Sequence, residues 1–163
     1  MHLAQVNVSR LLAPLSSPQL EGFVAAAGPV ESARAAAPGF VWRKHAEVPP
    51  GWRTHPIGWD LGDSAGLVVN LSVWESLEAL DRFVHGAPHL QALRQRRSWF
   101  ARHPEGTSVL WWVPEGHRPR LAEAAERLRH LRAYGPTPYA FSAASPSPEP
   151  AEGEVLPSRP SAR

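Results

Sequence analysis

His85 and His89 stand four residues apart, the spacing that sets two imidazoles on one face of a helix. Gly86-Ala87-Pro88 lies between them and interrupts such a face, and no acid follows in a metal-site pattern. A metal is therefore not expected. A second set of candidates is neutral: Gln5 and Asn7 within HLAQVNV (2–8), and Asn70 and Ser72 within LVVNLSVW (67–74). Amides and hydroxyls orient a substrate carbonyl or phenol and stabilise a developing oxyanion, but they do not themselves remove a proton. A mutual hydrogen-bond network in a dimer interface explains the same four residues equally well. Trp74 and Trp112 offer either an aromatic wall for a flat ligand or packing across an interface. Arg43, in FVWRK (40–44), supplies a planar fork for a carboxylate if it points inward, and an ordinary surface charge if it does not.

These residues sit on strands that the pattern of side chains predicts. In HLAQVNV, His2, Ala4, Val6 and Val8 share one face, while Leu3, Gln5 and Asn7 share the other. In LVVNLSVW the apolar face is Leu67, Val69, Leu71 and Val73, opposite Val68, Asn70, Ser72 and Trp74. FVWRK and TSVLWWV (107–113) read as two further strands. Helices are predicted over about 18–36, kinked or divided at Gly28-Pro29, from Ser76 to about Val84, from near His89 to Phe100, and over 119–134. Residues 45–66 hold three Pro and four Gly and read as a long loop. From Ser142 the composition turns to Pro, Ser, Glu and Ala, which predicts a disordered tail over 142–163 beyond a single domain of residues 1–141.

The order β-α-β, loop, β-α-α-β, α is that of an α+β, ferredoxin-like fold, a four-stranded antiparallel sheet with helices on one face. Strands one and three are the central neighbours in that topology. Their apolar faces are expected against the helices, leaving Gln5, Asn7, Asn70, Ser72, Trp74 and Trp112 on an open face. A second copy of the sheet is the simplest cover for it.

Composition narrows the function. The chain has 163 residues, 43% hydrophobic and 20% charged, and no cysteine, which excludes disulfides and thiol nucleophiles. Seventeen Lys and Arg, all but one of them Arg, face fifteen acids, for a net charge of +2. The basic cluster Arg94, Arg96, Arg97 and Arg102 comes with no nucleic-acid-binding signature and reads as a solvated helix face. No secretory leader or apolar span is evident, so a cytoplasmic protein without a membrane partner is expected. Ser72 and Ser76 lack a nucleophile-elbow context, and the run from Gly58 to Asp63 does not fit a dinucleotide loop.

The blocks HLAQVNV, GFVWR, LVVNLSVWESLEALDRFV, RRSWF and LWWVPEGHRP resemble an uncharacterised bacterial family, over residues 2–141. That family is similar to the dimeric α+β barrel superfamily, which includes the antibiotic-biosynthesis monooxygenases. The resemblance implies a homodimer with its sheets face to face and a cavity between sheet and helices in each subunit. In related barrels the region after the helix that follows strand three borders this cavity. His89 thereby becomes the acid/base candidate or, alternatively, a haem ligand; the plainer reading is a histidine bonded to a nearby carbonyl. Gln5, Asn7, Arg43, Asn70, Ser72, Trp74, His85 and Trp112 are the expected substrate contacts. The reading that follows is a small-molecule enzyme acting without a cofactor on an apolar, aromatic or polycyclic compound, by oxygenation, isomerisation or cyclisation. The alternatives are a non-catalytic dimeric ligand-binding protein and a haem protein.

Overall fold

Alternating side chains on the central strands decide what each face of the sheet can touch. The computed structural model describes residues 1–151 and 153–158. Four strands, β1 (His2–Arg10), β2 (Phe40–Val48), β3 (Leu67–Trp74) and β4 (Ser108–Val113), form one antiparallel sheet in the order β2-β3-β1-β4. The helices are α1 (Glu21–Ala35), α2 (Leu77–Val84), α3 (Ala87–Trp99) and α4 (Leu121–Tyr134). The ferredoxin-like plan is thus present, with β1 and β3 at the centre. Helix α1 runs through Pro29 undivided. Strand β2 reaches Val48, so the long connection begins at Pro49 rather than at His45. Among the described residues, no helix is long and apolar enough to cross a membrane.

The covers of the two faces are exchanged relative to expectation. The apolar face (Ala4, Val6, Val69, Leu71, Val73, Val109 and Trp111) packs on Ala124, Ala125 and Leu128 of α4 and on Ile57 and Leu61 of the 49–66 connection. Helices α1–α3 lie over the other face, the one that carries Gln5, Asn7, Asn70 and Ser72. Helices therefore occupy both faces, and neither face is left open for a second sheet. The reason is physical: a fully apolar sheet face needs a close-packed apolar cover, and α4 with the connection supplies one. Helix α1, by contrast, buries none of its residues fully and α3 buries only Trp99, so both stand off the polar strands.

One buried carboxylate staples the connection in place. Asp60, 2% exposed, accepts from Arg10 Nη2 at 3.0 Å and from Arg132 Nη1 and Nη2 at 2.9 and 3.3 Å, and His103 Nε2 lies 3.3 Å away. Strand β1, helix α4 and the loop before β4 are joined through it. Trp59 lies beneath the guanidinium groups of Arg129 and Arg132. At the other end of the sheet, Gly39 takes a φ of +81° to enter β2, where a Cβ would stand 2.5 Å from that of Ala79 on α2.

The segment from Ser142, expected to be disordered, makes contacts where it is described. Trp112 Nε1 donates to Ser147 O at 3.0 Å, the amino terminus pairs with Glu149 at 3.1 Å, and Leu156 packs beside the Trp74 cluster. Residues 152 and 159–163 of that segment lie outside the described residues. Just before it, Phe141 exchanges two backbone hydrogen bonds with Leu110 on the β4 edge.

Candidate active site

Strand register lays the candidate residues out in rows. Phe40, Trp74, Leu3 and Trp112 form one row across the sheet; Arg43, Ser72, Gln5 and Leu110 form the next; His45, Asn70, Asn7 and Ser108 form the third. A bulge between Phe40 and Trp42 makes this possible, because one extra residue changes which side of β2 faces which cover. Phe40 and Trp42 thus lie in opposite cores rather than on one face, and Arg43 and His45 turn toward α1 and α3.

The two polar rows border a cavity of about 580 Å³ roofed by α1 and α3, within the ~300–1,000 Å³ of small-molecule sites. Gln5, Asn7, Arg43, Asn70 and His89 line it, together with Phe23, Val30, Leu93 and Trp99. The apolar row closes one end: Trp74 stacks on Phe83 of α2 at 5.1 Å and meets Phe40 edge-on. Trp74, Ser72 and Trp112 are therefore outside the cavity's lining. His85 is too, for it sits at the exposed end of α2, bonded through Nδ1 to Asp81 O at 2.9 Å.

Ser72 and Trp74 are nonetheless linked to the cavity lining through Gln5. The indole N–H of Trp74 donates to Ser72 Oγ at 3.0 Å, and the Ser72 hydroxyl donates to Gln5 Oε1 at 3.4 Å. The indole nitrogen can only donate, and the Ser72 proton goes to Gln5 Oε1, which leaves the Gln5 NH2 as the group still to be used. Asn70 Oδ1 likewise faces His45 Nδ1 at 3.2 Å, which leaves the Asn70 NH2. The floor accordingly offers amide donors, the groups that hold an oxygen gaining negative charge.

His89 supplies the opposite chemistry. Its Nδ1 stands 3.0 Å from Val84 O. A carbonyl only accepts, so Nδ1 carries the proton and Nε2 keeps its lone pair. Burial, with smaller contributions from the Arg34 and His85 charges, holds the imidazole pKa below its ordinary value, against the opposing pull of the Val84 bond. The ring also borders a second hollow of about 210 Å³ between α1 and the α2–α3 turn. Among the described residues, no three His, Cys, Asp or Glu are grouped to hold a metal ion.

The DUF3291 family, a domain of unknown function, matches residues 2–156. The chain belongs to this family. The match runs past residue 141 into the segment that contacts Trp112. No curated protein matches the DUF3291 chain. Among solved structures it is similar to Rv0793 from Mycobacterium tuberculosis, at 14% identity and a TM-score of 0.51, covering 72% of this chain and 100% of that one. It is also similar to SnoaB, a cofactor-independent oxygenase from Streptomyces nogalater, at 17% identity and a TM-score of 0.46, covering 70% and 94%. Hydroxynitrile lyase from Passiflora edulis matches at 14% identity and a TM-score of 0.47, covering 72% and 97%. These likenesses concern the fold.

Three charged or titratable residues of the DUF3291 cavity escape the sequence reading, Glu31, Arg34 and His45, while Arg96, read from the sequence as part of a solvated helix face, borders it as well. Glu31 and Arg34 lie three apart on α1, a spacing that identifies a helical ion pair but not the side of the helix it occupies. Extending the alternation of Arg43 by one step would have found His45.

Proposed function

We propose that this DUF3291 protein is a small-molecule enzyme whose cavity binds an apolar, aromatic or polycyclic compound and removes a proton from it. The His89–Val84 bond carries this reading, because it puts the ring proton on Nδ1 and leaves Nε2 as the basic nitrogen at a cavity whose floor offers amide donors. In the proposed step the Nε2 lone pair takes the proton of a phenol or of a C–H beside a carbonyl. The electron pair moves to the substrate oxygen, where the Gln5 and Asn70 amides stabilise it. The resulting carbanion or phenolate can meet dioxygen, be reprotonated elsewhere, or attack an internal carbonyl; these are oxygenation, isomerisation and cyclisation. Proton removal itself requires no cofactor. A homodimer, which the resemblance implies, would have to use a surface other than the two sheet faces, since both are covered within the chain.

The test is incubation with naphthols and cyclic 1,3-diketones, followed by mass spectrometry and chromatography. Product formed by the wild type and lost in His89→Ala supports the enzyme. Binding without product supports a ligand-binding protein instead. A Soret shift on adding haemin, absent in His89→Ala, would favour haem ligation through the same nitrogen.

A further inference from the structure

Among the described residues, one carboxylate and three guanidinium groups border the cavity: Glu31, Arg34, Arg43 and Arg96. Glu31 is divided between two of them. Its Oε2 accepts from Arg34 Nη1 at 2.7 Å, and its Oε1 lies 2.6 Å from Arg43 Nε. Each arginine thus commits one nitrogen of its fork to Glu31 and retains others. As a tie between α1 and the edge strand β2, the Glu31–Arg43 pair is sufficient. Arg34 is the surplus, only 12% exposed and set over the Phe83 ring at 5.1 Å. Burial lowers its pKa, with the neighbouring Arg43 charge acting the same way and Glu31 opposing it. Phe83 in turn touches the His89 ring at 5.2 Å, which places this charge beside the proposed base.

Resting on the reading of the cavity as a substrate site, we propose that the substrate is an aromatic carboxylate whose acid group is held by Arg34 and Arg43. Planar guanidinium forks match a carboxylate's two oxygens, and the added negative charge completes what Glu31 alone leaves uneven. The flat remainder of such a molecule lies among Phe23, Val30 and Trp99. Arg96 adds to the positive field.

Isothermal titration of the full chain with 2-naphthoate and with 2-naphthamide tests this. The acid is expected to bind about tenfold tighter or more, the worth of one charge-assisted hydrogen bond, with a preference that shrinks as sodium chloride is raised. Arg34→Gln and Arg43→Gln should each remove about that factor for naphthoate and leave naphthamide within about twofold. A merely structural ion pair would weaken both ligands alike, and that result overturns the proposal. Equal affinities, unaltered in the variants, also overturn it while the cavity reading stands; no binding of either compound overturns both. If Arg34→Gln does not fold, Arg43→Gln and the salt dependence decide.

Discussion

The Nδ1 of His89 lies 3.0 Å from the carbonyl oxygen of Val84, the last residue of α2, and that bond fixes which nitrogen of the ring carries the proton. A histidine tied to a helix-end carbonyl is also the bland reading of this residue. Here the two coincide, because the tie makes Nε2 the basic atom and the cavity gives it somewhere to act.

Replacing His89 by Gln should lower turnover by about 10²- to 10⁴-fold, the usual worth of a positioned base. In the wild type, activity needs the neutral ring and should fall on the acid side with an apparent pKa below the ordinary value of about 6.5. Stability follows the same sign. The unfolded chain takes up the proton first, so His89's contribution is present above about pH 6.5 and is lost as pH falls through its lowered folded pKa. The fall in melting temperature between pH 7 and 5 should therefore be smaller for His89→Gln.

Ser72 links Trp74 to Gln5 without lining the cavity. Ser72→Ala should cost about 1 kcal/mol or slightly more, since it strands the Trp74 indole N–H. It should also free the Gln5 amide to turn, weakening ligand binding. Urea unfolding and a 2-naphthoate titration read the two effects separately. Loss of stability with unchanged affinity would restrict the chain to packing.

Asp60 joins Arg10, Arg132 and His103 at a buried point. Asp60→Ala removes the buried counter-charge of Arg10 and leaves Arg132 only the exposed Glu105, 3.3 Å away, and should cost about 3–5 kcal/mol. Equilibrium unfolding followed by tryptophan fluorescence checks this. A cost under 1 kcal/mol would mean that the 49–66 connection is held by its other contacts, Ile57, Leu61 and Trp59 among them, rather than by Asp60.

The covered apolar face makes a prediction about packing. Leu128 on α4 is fully buried against the sheet, so Leu128→Ala should cost about 2–5 kcal/mol. A near-neutral result would mean that α4 is peripheral and that the sheet face is buried by something else, such as a second copy.

The topology was legible because its signals are local and redundant: HLAQVNV and LVVNLSVW each carry an apolar face, Ala4 to Val8 and Leu67 to Val73, opposite one that holds paired amides, and pairing them leaves little choice of order. The sharing of faces was legible too. Which cover meets which face was not, since α1 and α4 both read as amphipathic and their distance from the sheet depends on tertiary packing. The bulge at Val41 was invisible because nothing in FVWRK marks it, yet it decides where Arg43 points. Arg34 was missed because a helical Glu–Arg pair ordinarily faces water.

Nitrogen-15 NMR of the histidine side chains, in the free protein and with saturating 2-naphthoate, addresses the proposed base itself. The expected spectrum shows His89 protonated at Nδ1, titrating below about pH 6.5, with its Nε2 resonance shifted by the ligand. A proton on Nε2, a pKa at or above that value, or an Nε2 resonance unmoved by a bound ligand would contradict His89 as the cavity's base.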